Sequence, residues 1–85
     1  MSKSTARRLG ARMRTLRAAA GLSQESLADR AGMDRTYLGG IERGERNPSL
    51  QNIIKIADAL EIGLSDLFHD VHPPPSPQLT EGHDE

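Results

Sequence analysis

QESLADRAGMDRTYLGGIER, residues 24–43, is the stretch on which the reading of this chain turns. Leu27 and Ala31 lie four apart ahead of Gly32, Leu38 and Ile41 lie three apart behind it, and Met33 sits between the pairs. Apolar residues at that spacing predict two short helices, over 24–31 and 35–43. Ser23 and Asp34 precede them as N-caps, side chains that accept from the first unpaired backbone N–H groups. Ser26 stands where a full capping box would have Glu, so that box is incomplete. Gly32 suits a left-handed turn, and Ala28 is small enough for a close helix crossing. Two helices of about eight residues joined by such a turn form a helix-turn-helix. Small helical bundles that bind no nucleic acid also use glycine turns and small crossing residues, so the pattern alone fits both.

Outward from this unit the periodicity stays helical. Leu9, Met13, Leu16 and Ala20 step by four, three and four, predicting a helix over 5–20 that Gly21 stops. Gly44 ends the third helix, Asn47-Pro48 makes a turn, and Ser49 caps a fourth helix over 50–60. Leu50, Ile53, Ile54, Ala57 and Leu60 form its wide apolar face; Gly63 breaks it, and Leu64 to Phe68 make a last short helix. The expectation is an all-α chain of five helices in one domain, 1–68. Residues 69–85, HDVHPPPSPQLTEGHDE, hold four of the five prolines and almost no apolar side chains. Such a composition cannot offset the entropy of ordering, so an acidic, Pro-rich, disordered tail is expected.

Composition narrows the function. Eighty-five residues suffice for one small domain. The absence of cysteine removes disulfide scaffolds, Cys-based zinc sites and thiol catalysis. No apolar run nears the ~18 residues of a membrane span, and the N-terminus lacks the apolar core of a signal peptide. A cytoplasmic location is therefore expected. The net charge of -1 conceals a division. Residues 1–68 carry all 11 Lys and Arg against eight acids, and residues 69–85 carry four acids and no base. Lys3, Arg7, Arg8, Arg12, Arg14 and Arg17 crowd the first twenty residues, which hold no acid. A basic head thus carries an acidic tail. His69 and His72 lack a ligand set, and Asp58, Glu61 and Asp66 are surface carboxylates near helix ends. There is no Gly-rich phosphate loop and no nucleophile elbow, so neither an enzyme, a metal nor a cofactor is expected.

The motifs taken together resemble the Cro/repressor-type (XRE-like) helix-turn-helix family. They are G-L-S-Q-x-x-L-A at 21–28, Gly32, I-E-x-G at 41–44, N-P-S at 47–49 and A-L-x-I-x-x-x-x-L-F at 59–68. Within that family, D-R-T-Y-x-G-G-I-E-R-G-x-R-N at 34–47 resembles the controller proteins of restriction–modification systems. The resemblance covers about 7–68. It implies a lambda-repressor-like domain with the helix-turn-helix at helices two and three. It further implies a homodimer on a pseudo-palindromic operator, with one recognition helix per subunit in successive major grooves.

On that footing Arg35, Thr36 and Tyr37, at the start of the third helix, are the expected base contacts. An Arg can donate two parallel bonds to guanine O6 and N7, and Thr offers a hydroxyl and a methyl; Tyr37 is better suited to a phosphate. Gln24 corresponds to a residue that the family uses to bond a phosphate and brace the recognition helix. Arg43, Arg46, Asn47, Ser49, Gln51 and Asn52 are the other expected phosphate contacts, which would fix register without reading sequence. Ordinary polar first turns and a solvated basic face are the plainer accounts of the same residues. Gly39-Gly40 either lets the helix approach DNA closely or is merely tolerated by packing. Arg17 shares the apolar face of helix one, so its guanidinium needs a partner, and the resemblance supplies Glu42 as a structural ion pair. Ile56, Leu60, Ile62, Leu64, Leu67 and Phe68 exceed what a core this small requires and are the expected dimer interface. The expected partners are double-stranded DNA and a second copy, with RNA polymerase added if the protein activates. A phage-type repressor, the antitoxin of a toxin–antitoxin pair and a protein-interaction module that binds no DNA stay open as alternatives.

Overall fold

The computed structural model describes residues 1–72, and residues 73–85 of the expected tail lie outside them. Five helices follow in order: α1 (Lys3–Ala19), α2 (Gln24–Ala31), α3 (Arg35–Glu42), α4 (Leu50–Leu60) and α5 (Leu64–Leu67). Among the described residues there is no strand. The caps explain the helix starts. Ser2, Ser23, Asp34 and Ser49 each sit in extended backbone and accept from the N–H three residues on, at 3.0–3.1 Å. Ser2 starts α1 two residues before the expected point, because a hydroxyl at that position takes the N–H of Thr5. Gly32 ends α2 in left-handed geometry (φ 68°), and its N–H bonds back to Ala28 and Asp29. Met33 N–H returns to the Ala28 carbonyl at 2.9 Å, which turns the chain into α3.

The α4–α5 junction departs from expectation. Glu61, not Gly63, takes the left-handed position at the end of α4 (φ 60°), while Gly63 is extended and caps α5. A glycine near a helix end marks a break without fixing which residue carries the unusual backbone.

α2 packs on α3 and α4, α1 on α3 and α5, and α4 on α5. The core they enclose contains Leu9, Met13, Leu27, Ala28, Leu38, Ile41, Ile53, Ile56, Ala57, Leu60 and Leu67. Gly10 makes the α1–α3 crossing possible. A Cβ there would collide with the carbonyl oxygens of Ile41 and Glu42. Arg12, one of the basic residues that crowd the first twenty, donates from Nε and Nη2 to the Asp66 carbonyl at 3.0 and 2.9 Å and ties α1 to α5.

Three further expectations are corrected. Ala20 is exposed because it lies just past the end of α1. On α4 the buried stripe is Ile53, Ile56, Ala57 and Leu60, whereas Leu50 is 67% and Ile54 41% exposed. Both stripes have helical spacing and lie on one broad apolar arc opposite Gln51, Lys55 and Asp58, so periodicity could not choose its edges. The packed region also extends past residue 68. Val71 is buried in the core, and its N–H bonds to the Phe68 carbonyl at 3.0 Å. A lone valine among polar and proline residues carries no periodic signal.

The expected dimer interface changes accordingly. Ile56, Leu60 and Leu67 are buried within their own chain and are not available to a partner. Leu64 is exposed, and Ile62 and Phe68 are half-buried against the core.

Candidate nucleic-acid interface

The inner face of α3 holds Leu38 and Ile41 in the core, and its leading turn points away from it. Arg35 and Thr36 are both exposed there, raised on the turn that Asp34 caps. Arg35, Thr36, Gly39, Arg43 and Gln24 line one shallow depression of about 200 Å³. Four of the expected contact residues, drawn from two helices and the turn after α3, therefore share one surface. Tyr37 is half-buried against the core, and its hydroxyl accepts from the Asn52 side-chain amide at 3.1 Å. Two expected contacts thus brace each other across α3 and α4. Asn47, Ser49 and Gln51 are exposed at the turn and the start of α4, with the Ser49 hydroxyl accepting from Asn52 N–H.

The two glycines serve different ends. A Cβ at Gly40 would lie 2.8 Å from Cγ of Arg46, so the bare backbone seats the stem of that arginine. At Gly39 a Cβ would stand 3.1 Å from Nη1 of Arg43 and 3.5 Å from Oε1 of Gln24. Its absence leaves room for both polar ends at the floor of the depression. Arg43 also reaches Glu45 at 3.1 Å, an exposed pair that contributes little to stability.

Beneath this surface lies a polar network. Arg17 donates to Glu42 through Nε (2.7 Å) and Nη2 (3.0 Å), and through Nη1 to the Leu22 carbonyl (2.9 Å). The Glu42 side chain is fully buried and that of Arg17 is 15% exposed. Gln24 completes the set, donating to Glu42 Oε1 at 2.9 Å. The Arg17 guanidinium is held above its ordinary pKa, chiefly by the hydrogen bonds to Glu42, with burial acting in the opposite direction. No buried side-chain N or O among the described residues lacks a partner. The carboxylate thus joins α1 and α3 and orients the side chain at the head of α2.

Gly10 and Arg12 are structural determinants that sequence reasoning passed over. The signal for Gly10 was its cost, about 1 kcal/mol relative to alanine, in the middle of a helix. Arg12 had no signal, because its acceptor is a backbone carbonyl 54 residues away.

An exposed leading turn on a helix seated, across a tight glycine turn, against a partner helix of equal length is the arrangement of a helix-turn-helix protein. A family model described as helix-turn-helix matches residues 13–67, and this chain belongs to that family. Within the family the chain is similar to the control proteins of restriction–modification systems. It is 54% identical over 50 residues to control protein C.MunI of a Mycoplasma species, covering 59% of this chain and 68% of that protein. It is 56% identical to the restriction–modification controller protein C.AhdI from Aeromonas hydrophila, with a TM-score of 0.73 over 74% of this chain and 96% of the other. The controller protein C.Esp1396I (30% identical, TM-score 0.73, 79% and 88% covered) has been solved as a tetramer with its natural 35 base-pair operator.

Proposed function

We propose that this chain is a sequence-specific DNA-binding transcriptional regulator that acts as a homodimer on a pseudo-palindromic operator, as a restriction–modification controller. The observation that carries this reading is the single concave surface of Gln24, Arg35, Thr36, Gly39 and Arg43, set over a fully satisfied buried network. Arg35 and Thr36 reach base edges from the leading turn of α3, and Gln24, Arg43 and Arg46 hold the flanking phosphates. Tyr37 and Asn52 act as a pair at the edge of the groove. The neighbour solved as a tetramer in complex with its natural operator supports DNA binding by this chain. No helix among the described residues is long and apolar enough to cross a membrane.

The dimer forms through Leu50, Ile54 and Leu64, the large apolar side chains exposed on α4 and α5, with Ile62 and Phe68 beside them. Two recognition helices then meet DNA one helical turn apart, about 34–36 Å. Activation adds a contact with RNA polymerase. Selection of bound sites from random duplexes, followed by footprinting, tests the whole reading. Two inverted half-sites one turn apart are expected, and recovery of no sequence preference would overturn it.

A further inference from the structure

A second depression, of about 540 Å³, lies beside the first. Lys3, Arg7, Arg43 and Asn47 line it, together with Gly44 and Glu45. Arg43 borders both depressions, so the two adjoin at its side chain. Gly44 is the reason α1 comes so near. It is left-handed (φ 76°), and a Cβ on it would lie 2.9 Å from Cα of Arg7. The first turns of α1 are thereby laid against the end of the recognition unit. The charge is lopsided, with Lys3, Arg7 and Arg43 facing one carboxylate, Glu45, which Arg43 already engages at 3.1 Å. Lys3 and Arg7 form no ion pair among the described residues. Two unneutralised cations on a rigid helix, at the edge of a concave polar surface, suit a phosphodiester oxygen.

We infer that Lys3 and Arg7 form an outer phosphate clamp, which holds the DNA backbone beyond the segment contacted by α3. This rests on the DNA-binding reading above. It assigns to the basic start of α1 a direct part in binding. The clamp reads no sequence. It lengthens the footprint and raises the number of phosphates neutralised per subunit.

The test compares the full-length protein with K3Q/R7Q on the selected operator, by titration at several salt concentrations. Glutamine keeps the Arg7 stem against Gly44. A charge-matched control, R8Q/R30Q, removes two exposed cations that do not line the depression. The slope of log K against log salt should fall by about 0.9 for each phosphate that K3Q/R7Q no longer neutralises, and by less in the control. Preference for operator over random duplex should not change. Trimming the outer flanks of the duplex should weaken the wild type and leave K3Q/R7Q unaffected. If the wild type binds and both double variants lose slope equally, net charge is the cause and the clamp is refuted. An unchanged slope in K3Q/R7Q refutes it as well. A wild type that binds no duplex overturns the DNA-binding reading itself, and the clamp with it.

Discussion

Arg35 stands exposed at the head of α3, and Asp34, its neighbour, is committed to capping the Tyr37 N–H. Arg35 forms no ion pair among the described residues, so its donors are free for the guanine edge proposed above. Arg35→Ala should relax discrimination at one base pair of each half-site, costing about 1–3 kcal/mol there, and should spare binding to random duplex. Competition between operator variants reads this directly; equal losses on both kinds of DNA would assign Arg35 to a phosphate. Arg17 acts from below. Arg17→Ala leaves a buried carboxylate with the Gln24 amide at 2.9 Å and the exposed Arg14 guanidinium at 3.9 Å, and should cost about 3–5 kcal/mol in urea unfolding. Replacing Arg17 and Glu42 together with apolar residues should cost much less. The Arg17 pKa is raised, so the pair's contribution is complete below the ordinary arginine range and is lost only above it. Stability near neutral pH should not titrate at this site. At this scale the chain was largely readable. Arg17 betrayed itself as a charge on an apolar face, and the leading residues of α3 were marked by the cap before them. The Tyr37–Asn52 bond was not readable, since it depends on how α4 lies against α3.

At the scale of the elements, serine and aspartate caps announced α2, α3 and α4, because capping is a contact three residues long. Contacts between helices left fainter marks. Gly10→Ala drives a methyl into two backbone carbonyls, which cannot move aside as a side chain can. The substitution removes a poor helix former yet should destabilise by about 1–3 kcal/mol, the usual cost of overpacking. A rise in the melting temperature would show that the α1–α3 crossing is looser than described. Glu61 gives the opposite case. It holds a left-handed conformation that costs a non-glycine residue roughly 1–2 kcal/mol, part of which glycine would return as unfolded-chain entropy. Glu61→Gly should therefore raise stability by up to about 1 kcal/mol in thermal or urea unfolding, leaving DNA binding unchanged.

For the whole molecule, the buried and exposed isoleucines of α4 separate folding from the dimer assembly proposed above. Ile54→Asp should yield a folded monomer by sedimentation, with helical content retained and operator affinity sharply lowered. Ile56→Ala should instead cost about 2–5 kcal/mol of stability, as expected for a truncated core residue. A dimer that survives Ile54→Asp intact would place the interface elsewhere. Sequence alone settled the five helices, the caps of α2, α3 and α4, the turn at Gly32 and the polar leading edge of α3. Those features depend on neighbours within one or two turns, and local chemistry is written in local order. Packing in three dimensions chose which face of α4 is buried, set Val71 in the core and made Glu61 the bend after α4. It alone brought Gln24, Arg35 and Arg43 to one surface and laid the basic start of α1 beside them. Packing of distant segments settles such matters, and an apolar or charged residue carries no mark of the partner that will lie against it.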